Sequence, residues 1–310
     1  MQETRARVLD RIAAGPVGGP QIAEDLGVSR AAVWKHVEAL RAAGFEIDSA
    51  EAGYDLAGVP EFGGPAVEFG LDAPYEVEYH ETIDSTNARA RDLAVDGREN
   101  VVVLADAQTG GRGRLDRGWS SPSGGIWLSI LSRPDVPPTQ APAYTLAAAV
   151  ATTRAVREAG VDASIKWPND VLVGDRKLAG ILTEMEGEAD RVSWLVVGIG
   201  VNANVDAADL PTDRPVTTVR EEVGDVDRRE LTQSLLAAFH ELTVDLQQVL
   251  PAWRKLSSTL GQRVRVETPG EEIVGDAVDV RFPGSLVVET AEGTREVTAG
   301  DCEHLRPADP

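Results

Sequence analysis

Cysteine and long apolar runs are almost absent from this chain. Cys302 is the only cysteine among 310 residues, which excludes an intrachain disulfide and favours a reducing, intracellular compartment. A membrane-spanning helix requires roughly 20 consecutive apolar residues, and the nearest candidate, residues 147–151, is soon interrupted by Arg154. Residues 1–5 also lack the apolar stretch of a secretory signal peptide. These absences predict a cytoplasmic protein with no membrane-inserted segment.

Lysine is scarce as well, whereas acidic residues are abundant. The sequence has 51 Asp and Glu residues against 30 Lys and Arg, a formal net charge of −21. Dense carboxylates with arginine preferred to lysine are typical of a salt-rich cytoplasm, where concentrated ions screen the repulsion. We therefore expect a halophilic protein; an acidic protein from an ordinary cell is the alternative. The only lysines are Lys35, Lys166, Lys177 and Lys255.

Clusters of catalytic or metal-binding residue types are missing. His36, His80, His240 and His304 are scattered and lie in no zinc-binding pattern, so no transition-metal site is expected. No Ser-His-Asp arrangement or pair of carboxylates stands out, which disfavours a hydrolase.

Residues 1–58 have the pattern of a helix-turn-helix domain with a β-wing. A tight turn at Gly27 precedes Ser29, which can cap a third helix that ends at about Ala43. Short strands on both sides of Gly53 would form the wing. The alternative is a helical bundle that only mediates contacts, and six Lys/Arg against nine Asp/Glu make this segment no basic patch. The candidate DNA-binding residues on or before the third helix are Ser29, Arg30, Trp34 and Lys35.

Three further segments follow. Residues 59–74 are rich in glycine and proline and predict a linker. Residues 75–258 mix helical and strand periodicity without regular alternation, which favours a mixed α/β core. Residues 259–310 contain short alternating runs separated by turn signals, which predict a small β barrel. The overall fold class predicted is α+β.

Two stretches combine cations with glycine or proline. Gly111-Arg112-Gly113-Arg114 leads to Trp119, and Lys166-Trp167-Pro168-Asn169-Asp170 precedes Lys177. Flexible backbone with guanidinium groups can close around a small anion, although the first stretch lacks the ending of a phosphate-binding P-loop. A mobile exposed loop and a structural salt bridge between Lys166 and Asp170 are the simpler alternatives.

Two polar stretches lie at the ends of predicted elements. Ser85-Thr86-Asn87 opens a helix, where an N-cap is the simplest role. Adjacent small polar groups can also bind a ligand that needs both donors and acceptors. Gly198-Ile199-Gly200-Val201-Asn202 ends a buried strand, where a β-bulge is the alternative to a ligand contact.

In their order and spacing these motifs resemble the biotin protein ligases. With the N-terminal segment they resemble the bifunctional form that is also the biotin operon repressor. The resemblance spans the whole chain and implies a winged helix-turn-helix, a core of the biotin/lipoate ligase type and an SH3-like β barrel. It implies ATP-dependent formation of biotinoyl-5′-AMP, with Mg²⁺ entering with ATP, and transfer of biotin to a lysine of a biotin carboxyl carrier protein.

The resemblance also implies residue roles. Arg114 and Lys177 would be catalytic. The other biotin-binding residues would be Ser85, Thr86, Asn87, Gln108, Arg112, Gly113, Gly180, Gly198 and Gly200. The ATP-binding residues would be Arg117, Trp119, Lys166, Asn169, Asp170 and Asn202. Leu115-Asp116 departs from more basic versions of the loop.

For regulation, the resemblance implies a homodimer that binds operator DNA with biotinoyl-5′-AMP as corepressor. Two other functions remain open. The first is a ligand-responsive repressor without ligase activity. The second is a lipoate-attaching enzyme, because its core fold is related.

Overall fold

A computed structural model describes residues 1–210 and 215–305. The chain divides into two compact units, Met1–Leu71 and Asp72–Pro310. Residues 306–310, the end of the predicted C-terminal domain, lie outside the described residues, as does the side chain of Asp116.

The first unit begins with three helices and a two-stranded wing. The elements are α1 (Glu3–Ala13), α2 (Gly19–Leu26), α3 (Arg30–Ala42), β1 (Glu46–Ala50) and β2 (Gly53–Gly58). Gly27 ends α2 with a φ of 66°, a left-handed conformation that favours glycine. Ser29 then caps α3, because its hydroxyl accepts a hydrogen bond from the Ala32 amide at 3.1 Å. These local signals produce the predicted helix-turn-helix.

The core of the first unit follows the helical periodicity of the sequence. Val8, Leu9 and Ile12 of α1 pack against the buried face of α3, together with Phe45 and Ile47. Residues three or four apart share one face of a helix, which explains the burial of this set.

The segment predicted as a linker differs from the structure. Residues 59–71 belong to the first unit, and Gly64–Glu68 forms a short helix, α4. Pro65 fits the first turn of that helix, where a backbone N–H is not needed. Val67 is fully buried, and Phe69 contacts Phe45 edge-on with ring centroids 6.1 Å apart. The boundary between the units therefore lies between Leu71 and Asp72.

The second unit is built around a seven-stranded sheet with the order β3-β4-β5-β9-β8-β7-β6. Only the β3–β4 pair is parallel among these neighbours. The strands are β3 (Glu76–Ile83), β4 (Val101–Gln108), β5 (Ile126–Ser132), β6 (Ser164–Lys166), β7 (Asp170–Val173), β8 (Arg176–Gly187) and β9 (Val192–Val201). The apolar β9 lies between β5 and β8, which explains its burial.

The α-helices of the described part of the second unit are α5 (Thr86–Val95), α6 (Ala141–Glu158), α7 (Val219–Val223), α8 (Arg228–Val244) and α9 (Val249–Leu256). Helices α5 and α6 pack on the sheet, and α8 packs against α6. The alanine-rich centre of α6 is fully buried against its neighbours. Within residues 1–210 and 215–305, no helix combines the length and the apolar character that crossing a bilayer requires. Helix α8 ends at Val244, where Asp245 caps a short turn before α9.

The C-terminal part of the second unit is a five-stranded antiparallel sheet with the order β13-β12-β11-β10-β14. Its strands are β10 (Arg263–Glu267), β11 (Glu272–Arg281), β12 (Ser285–Thr290), β13 (Gly293–Val297) and β14 (Asp301–His304). The predicted β-rich domain is confirmed, although the sequence pattern did not indicate β14. This short strand begins at Asp301 and pairs with β10.

Candidate active site

A cavity of about 570 Å³ opens in the second unit. It is lined by the start of α5, strands β7 to β9 and the start of β14. The loop over residues 110–118, called the Gly-Arg loop below, also lines it. The lining includes every predicted biotin- or ATP-binding residue except Lys166. Leu128, Ile181 and Ile199 add apolar surface. Segments distant in sequence therefore meet at one site that is polar at its edges and partly apolar inside.

One end of the cavity is formed by a network of hydrogen bonds between uncharged groups. Ser85 caps α5 by accepting from the Ala88 amide at 3.3 Å, so the N-cap role and a position in the cavity coexist. The Thr86 amide and hydroxyl both donate to Gln108 Oε1, at 2.8 and 3.0 Å. Gln108 Nε2 donates to the Ser121 hydroxyl at 2.9 Å. These contacts fix the first turn of α5 against β4.

Asn87 is anchored in the same network. Its Nδ2 donates to Glu184 Oε2 at 2.7 Å, and its Oδ1 accepts from the fully buried Ser129 hydroxyl at 2.5 Å. A Cβ atom at Gly198 would collide with the Asn87 amide. Glycine is therefore required there for Asn87 to lie against the sheet. Sequence reasoning missed Ser129 and Glu184.

Trp119 lies across two glycines of the cavity. A Cβ at Gly200 would collide with the indole, and one at Gly180 would lie 3.1 Å from it. The indole Nε1 is buried and has no hydrogen-bond partner among the described residues. The Lys177 ammonium lies 5.0 Å from the centroid of the Trp119 ring, within cation–π range. These glycines make room for an aromatic side chain beside a cation.

Lys177, and not Lys166, is the partner of Asp170. Its Nζ lies 2.7 Å from Asp170 Oδ1, and both side chains are about one-fifth exposed. This corrects the predicted Lys166–Asp170 pair. Lys166 stands opposite Asp170 in the β6–β7 ladder, and β6 is the edge strand of the sheet. The charge of Lys166 instead helps burial to lower the pKa of His304 to about 4.

The Gly-Arg loop is tied to two other segments. Arg112 and Gly118 form an isolated β-bridge that closes it. Arg114 donates to Asn169 Oδ1 at 3.0 Å and to the Gly300 carbonyl at 3.1 Å. Arg117 forms an ion pair with Asp301 at 2.6 Å. Asp301 therefore lines the cavity from the C-terminal sheet, a role that no sequence pattern had indicated.

The end of the cavity beside the Gly-Arg loop has the charge to bind an anion. Four cations, Arg112, Arg114, Arg117 and Lys177, line the cavity with only two carboxylates, Asp170 and Asp301. Across the described part of the chain, no group of three or more His, Cys, Asp or Glu side chains could hold a metal ion. Cys302, next to Asp301, is buried, which raises the pKa of its thiol to about 12. This cysteine is therefore not a reactive thiolate at neutral pH.

In the first unit, the predicted DNA-binding residues lie on one exposed surface. Ser29, Arg30, Trp34 and Lys35 are all exposed, and Trp34 is 56% exposed. Arg41 is used differently, because it donates to the Ile47 carbonyl at 2.6 Å and so ties α3 to the wing. A large aromatic side chain is seldom left this exposed on a surface that binds nothing, and here it lies beside two cations.

Comparisons with known proteins agree with this geometry. Residues 79–202 match the biotin/lipoate A/B protein ligase family, residues 259–305 the biotin protein ligase C-terminal domain, and residues 7–55 an HTH domain. The chain is 36% identical over 303 residues to the bifunctional ligase/repressor BirA of Bacillus subtilis, covering 93% of each protein.

The chain belongs to the biotin protein ligases, in the bifunctional ligase and repressor form. It is also 36% identical to the biotin–[acetyl-CoA-carboxylase] ligase of Mycobacterium tuberculosis, over 72% of this chain and 86% of that one. The biotin protein ligase from Aquifex aeolicus in complex with biotin and ATP superimposes with a TM-score of 0.65 and 28% identity, covering 74% of this chain and 99% of that chain. The predicted family, α+β fold and domain order are confirmed.

Proposed function

We propose that this ligase makes biotinoyl-5′-AMP from biotin and ATP in the cavity, and then biotinylates a lysine of a biotin carboxyl carrier protein. The observation that carries the proposal is the joining of an uncharged polar network to a cluster of four cations in one cavity. Biotin pairs a neutral ureido ring with a carboxylate, and an apolar chain separates the two. The two ends of the cavity match the two ends of this substrate.

In the first step, a biotin carboxylate oxygen attacks the α-phosphorus of ATP. The bond from that phosphorus to the bridging oxygen breaks, and pyrophosphate leaves. Negative charge gathers on the phosphoryl oxygens, where Arg114 and Lys177 can stabilise it as fixed donors. Lys177 lies beside Asp170 at 2.7 Å, so it can exchange that carboxylate for the ligand. Mg²⁺ would accompany ATP through its phosphate oxygens and a few waters, without needing a dedicated protein cage.

In the second step, the amine of the carrier lysine attacks the carbonyl carbon of the mixed anhydride. The bond to the phosphate oxygen breaks, and AMP leaves. Water would compete with the amine, so the loop over residues 110–118 has the role of a lid. Its attachment to Gly300 and Asp301 supports this role. No nucleophile of this chain is needed.

The reaction can be tested with purified protein, ATP, Mg²⁺ and biotin in high salt. We expect biotinoyl-5′-AMP by mass spectrometry, and transfer of labelled biotin once a carrier protein is added. Absence of both products would leave a ligand-responsive repressor without ligase activity. Competition between biotin and lipoate tests the other alternative, because a lipoate-attaching enzyme would prefer lipoate.

We also propose that the first unit binds operator DNA. The exposed face of α3 supports major-groove recognition through Arg30, Trp34 and Lys35. Residues 1–58 carry six positive and nine negative residues, a net charge of −3, which leaves −18 of the total −21 for the rest. At low salt such a molecule is repelled by DNA. Screening of this repulsion opposes the usual loss of DNA affinity with salt.

A promoter fragment titrated from low to molar potassium chloride, with and without biotin plus ATP, tests this proposal. We expect binding that requires both ligands and falls little with salt. Binding absent at every salt concentration would remove the repressor role. A steep loss with salt would contradict the halophilic adaptation.

A homodimer would give the DNA-binding unit its two-fold symmetry. Residues 182–187 of β8 pair with β9 on one side and, within the described segments, with no strand on the other. Met185 on this edge is 44% exposed. An open edge with an exposed apolar side chain favours pairing with a second copy. Sedimentation with and without biotinoyl-5′-AMP tests whether the corepressor promotes this dimer.

A further inference from the structure

Glu184, on the outer part of β8, is a charged side chain that contacts the uncharged end of the cavity. Its two carboxylate oxygens have separate partners on the same helix. Oε2 accepts from Asn87 Nδ2 at 2.7 Å, and Oε1 accepts from Arg91 Nη1 at 2.8 Å. Asn87 and Arg91 are four residues apart on α5, so they lie on the same face. The carboxylate therefore holds the first two turns of the helix.

Asn87 has both ends of its amide engaged by the protein. Glu184 accepts from the nitrogen, and Ser129 donates to the oxygen. The side chain is 9% exposed and lies over Gly198, where any Cβ would collide with it. One N–H and one lone pair of the amide remain, but these two contacts fix its orientation. Its position in turn fixes that of the neighbouring Ser85 and Thr86.

Ser129 carries the same constraint to the adjacent residue. Its hydroxyl lies 2.8 Å from Thr86 Oγ1 as well as 2.5 Å from Asn87 Oδ1. Thr86 in turn donates to Gln108. A rotation of the Asn87 amide would therefore disturb the hydrogen bonds that set the orientation of Thr86 and Gln108.

We propose that Glu184 is a positioning residue for the neutral head group of biotin, acting through Asn87. This inference rests on the proposed function, in which the start of α5 binds the ureido ring. Glu184 does not line the cavity itself. A carboxylate acceptor selects the orientation in which Asn87 points its nitrogen outward and its oxygen toward Ser129. The binding turn is thereby preorganised.

The test measures the dissociation constant for biotin and the KM values for biotin and ATP, with the full-length protein. Glu184→Ala should weaken biotin binding roughly tenfold, the effect of losing one hydrogen bond to a charged acceptor. The KM for ATP and kcat should stay unchanged. Glu184→Gln should restore biotin binding, because its carbonyl oxygen can still accept from Asn87. If Glu184→Ala does not fold, Glu184→Met retains the side-chain volume without the acceptor.

Arg91→Gln is the matched control, because it removes the Arg91–Glu184 ion pair and leaves the Asn87 contact in place. It should bind biotin as the wild type does. An equal loss in Arg91→Gln and Glu184→Ala, or no loss in Glu184→Ala, would overturn the positioning role. Failure of the proposed function gives a different result, since the wild-type protein itself would then bind no biotin or form no biotinoyl-5′-AMP.

Discussion

The two ends of the cavity are stabilised by different interactions. At the head-group end, neutral groups satisfy one another: Thr86 donates to Gln108, and Gln108 donates to Ser121. At the phosphate end, cations are paired with carboxylates of the protein: Lys177 with Asp170, and Arg117 with Asp301. Without ligand, the first end is already a binding surface. The second end has to exchange its partners before it can bind an anion.

This difference assigns rigidity and motion to different segments. A buried neutral network is costly to break, because each unsatisfied group loses its partner in a low-dielectric setting. Ion pairs at partly exposed positions contribute little net stability, on the order of 0–1 kcal/mol. Arg117 is 48% exposed and Asp301 26% exposed, so their pair can open at low cost. The head-group end selects the substrate, and the phosphate end rearranges around it.

The largest effect is expected from Lys177→Ala. Loss of one preorganised donor to developing charge typically lowers a rate on the order of 10²-fold. Single-turnover formation of biotinoyl-5′-AMP should therefore fall by about that factor, with the fold intact. The exposed Lys255 on α9 is the matched control, and Lys255→Ala should keep the wild-type rate. A Lys177→Ala variant with a normal single-turnover rate and weaker biotin binding would make Lys177 a binding residue only.

Asp301→Asn should free the Gly-Arg loop in the protein without ligand. Asp301 pairs with Arg117 at 2.6 Å and lies 3.9 Å from Arg114. Loss of about 1 kcal/mol from these partly exposed pairs corresponds to roughly fivefold more open loop. Trypsin cleavage after Arg112, Arg114 or Arg117 should accelerate by that factor, because cleavage requires local opening. With biotin and ATP bound, the variant and the wild type should be protected alike. Glu303→Gln, whose partner is Arg265, is the control and should not change the cleavage rate.

Equal cleavage of the wild type with and without ligands would count against a lid. Equal cleavage of Asp301→Asn and the wild type in the absence of ligand would show that Asp301 does not hold the loop.

The sequence predicted the parts of the site that are contiguous in the chain. Local signals such as the Ser29 cap and the apolar run of β9 were sufficient for the fold class, and short motifs were sufficient for most of the cavity. The missed residues act across long separations. Asp301 lies 184 positions from Arg117, and Glu184 lies 97 positions from Asn87. The salt-bridge alternative named Lys166 as the partner of Asp170, whereas Asp170 pairs with Lys177 of β8. The local motif could not show this, because β7 lies between β6 and β8 and a side chain on it can reach either neighbouring strand.

A smaller effect should link pH to the strand that carries Asp301. His304 on β14 lies 3.0 Å from the Thr259 hydroxyl, which also accepts from the Trp167 amide at 3.0 Å. Burial, aided by the charge of Lys166, lowers the pKa of His304 from 6.5 to about 4. Between these values the unfolded chain binds the proton and the folded chain does not, so stability falls as pH falls.

Denaturant unfolding of the wild type and His304→Gln, above pH 6.5 and near pH 4, measures this contribution. Gln retains a hydrogen-bonding group but does not titrate. The free energy of unfolding should fall more on acidification in the wild type than in the variant. If the free energy of unfolding falls equally in both proteins, the titration of His304 makes no contribution to the pH dependence of stability.

The smallest effect, and the most direct test of the comparison between the two ends, is the response to salt. Biotin amide lacks the carboxylate and should engage only the neutral network, so its affinity should not change from low to molar potassium chloride.

ATP meets Arg112, Arg114 and Arg117, and this attraction weakens as the Debye length shortens from about 10 Å at 0.1 M to about 3 Å at 1 M. The net charge of −21 repels ATP at the same time, and salt screens that repulsion too. The two changes oppose each other, so the affinity for ATP should fall by less than three local cations alone would imply. Calorimetry with each ligand separates the cases: a salt response for biotin amide as large as that for ATP would mean that the two ends do not differ in kind.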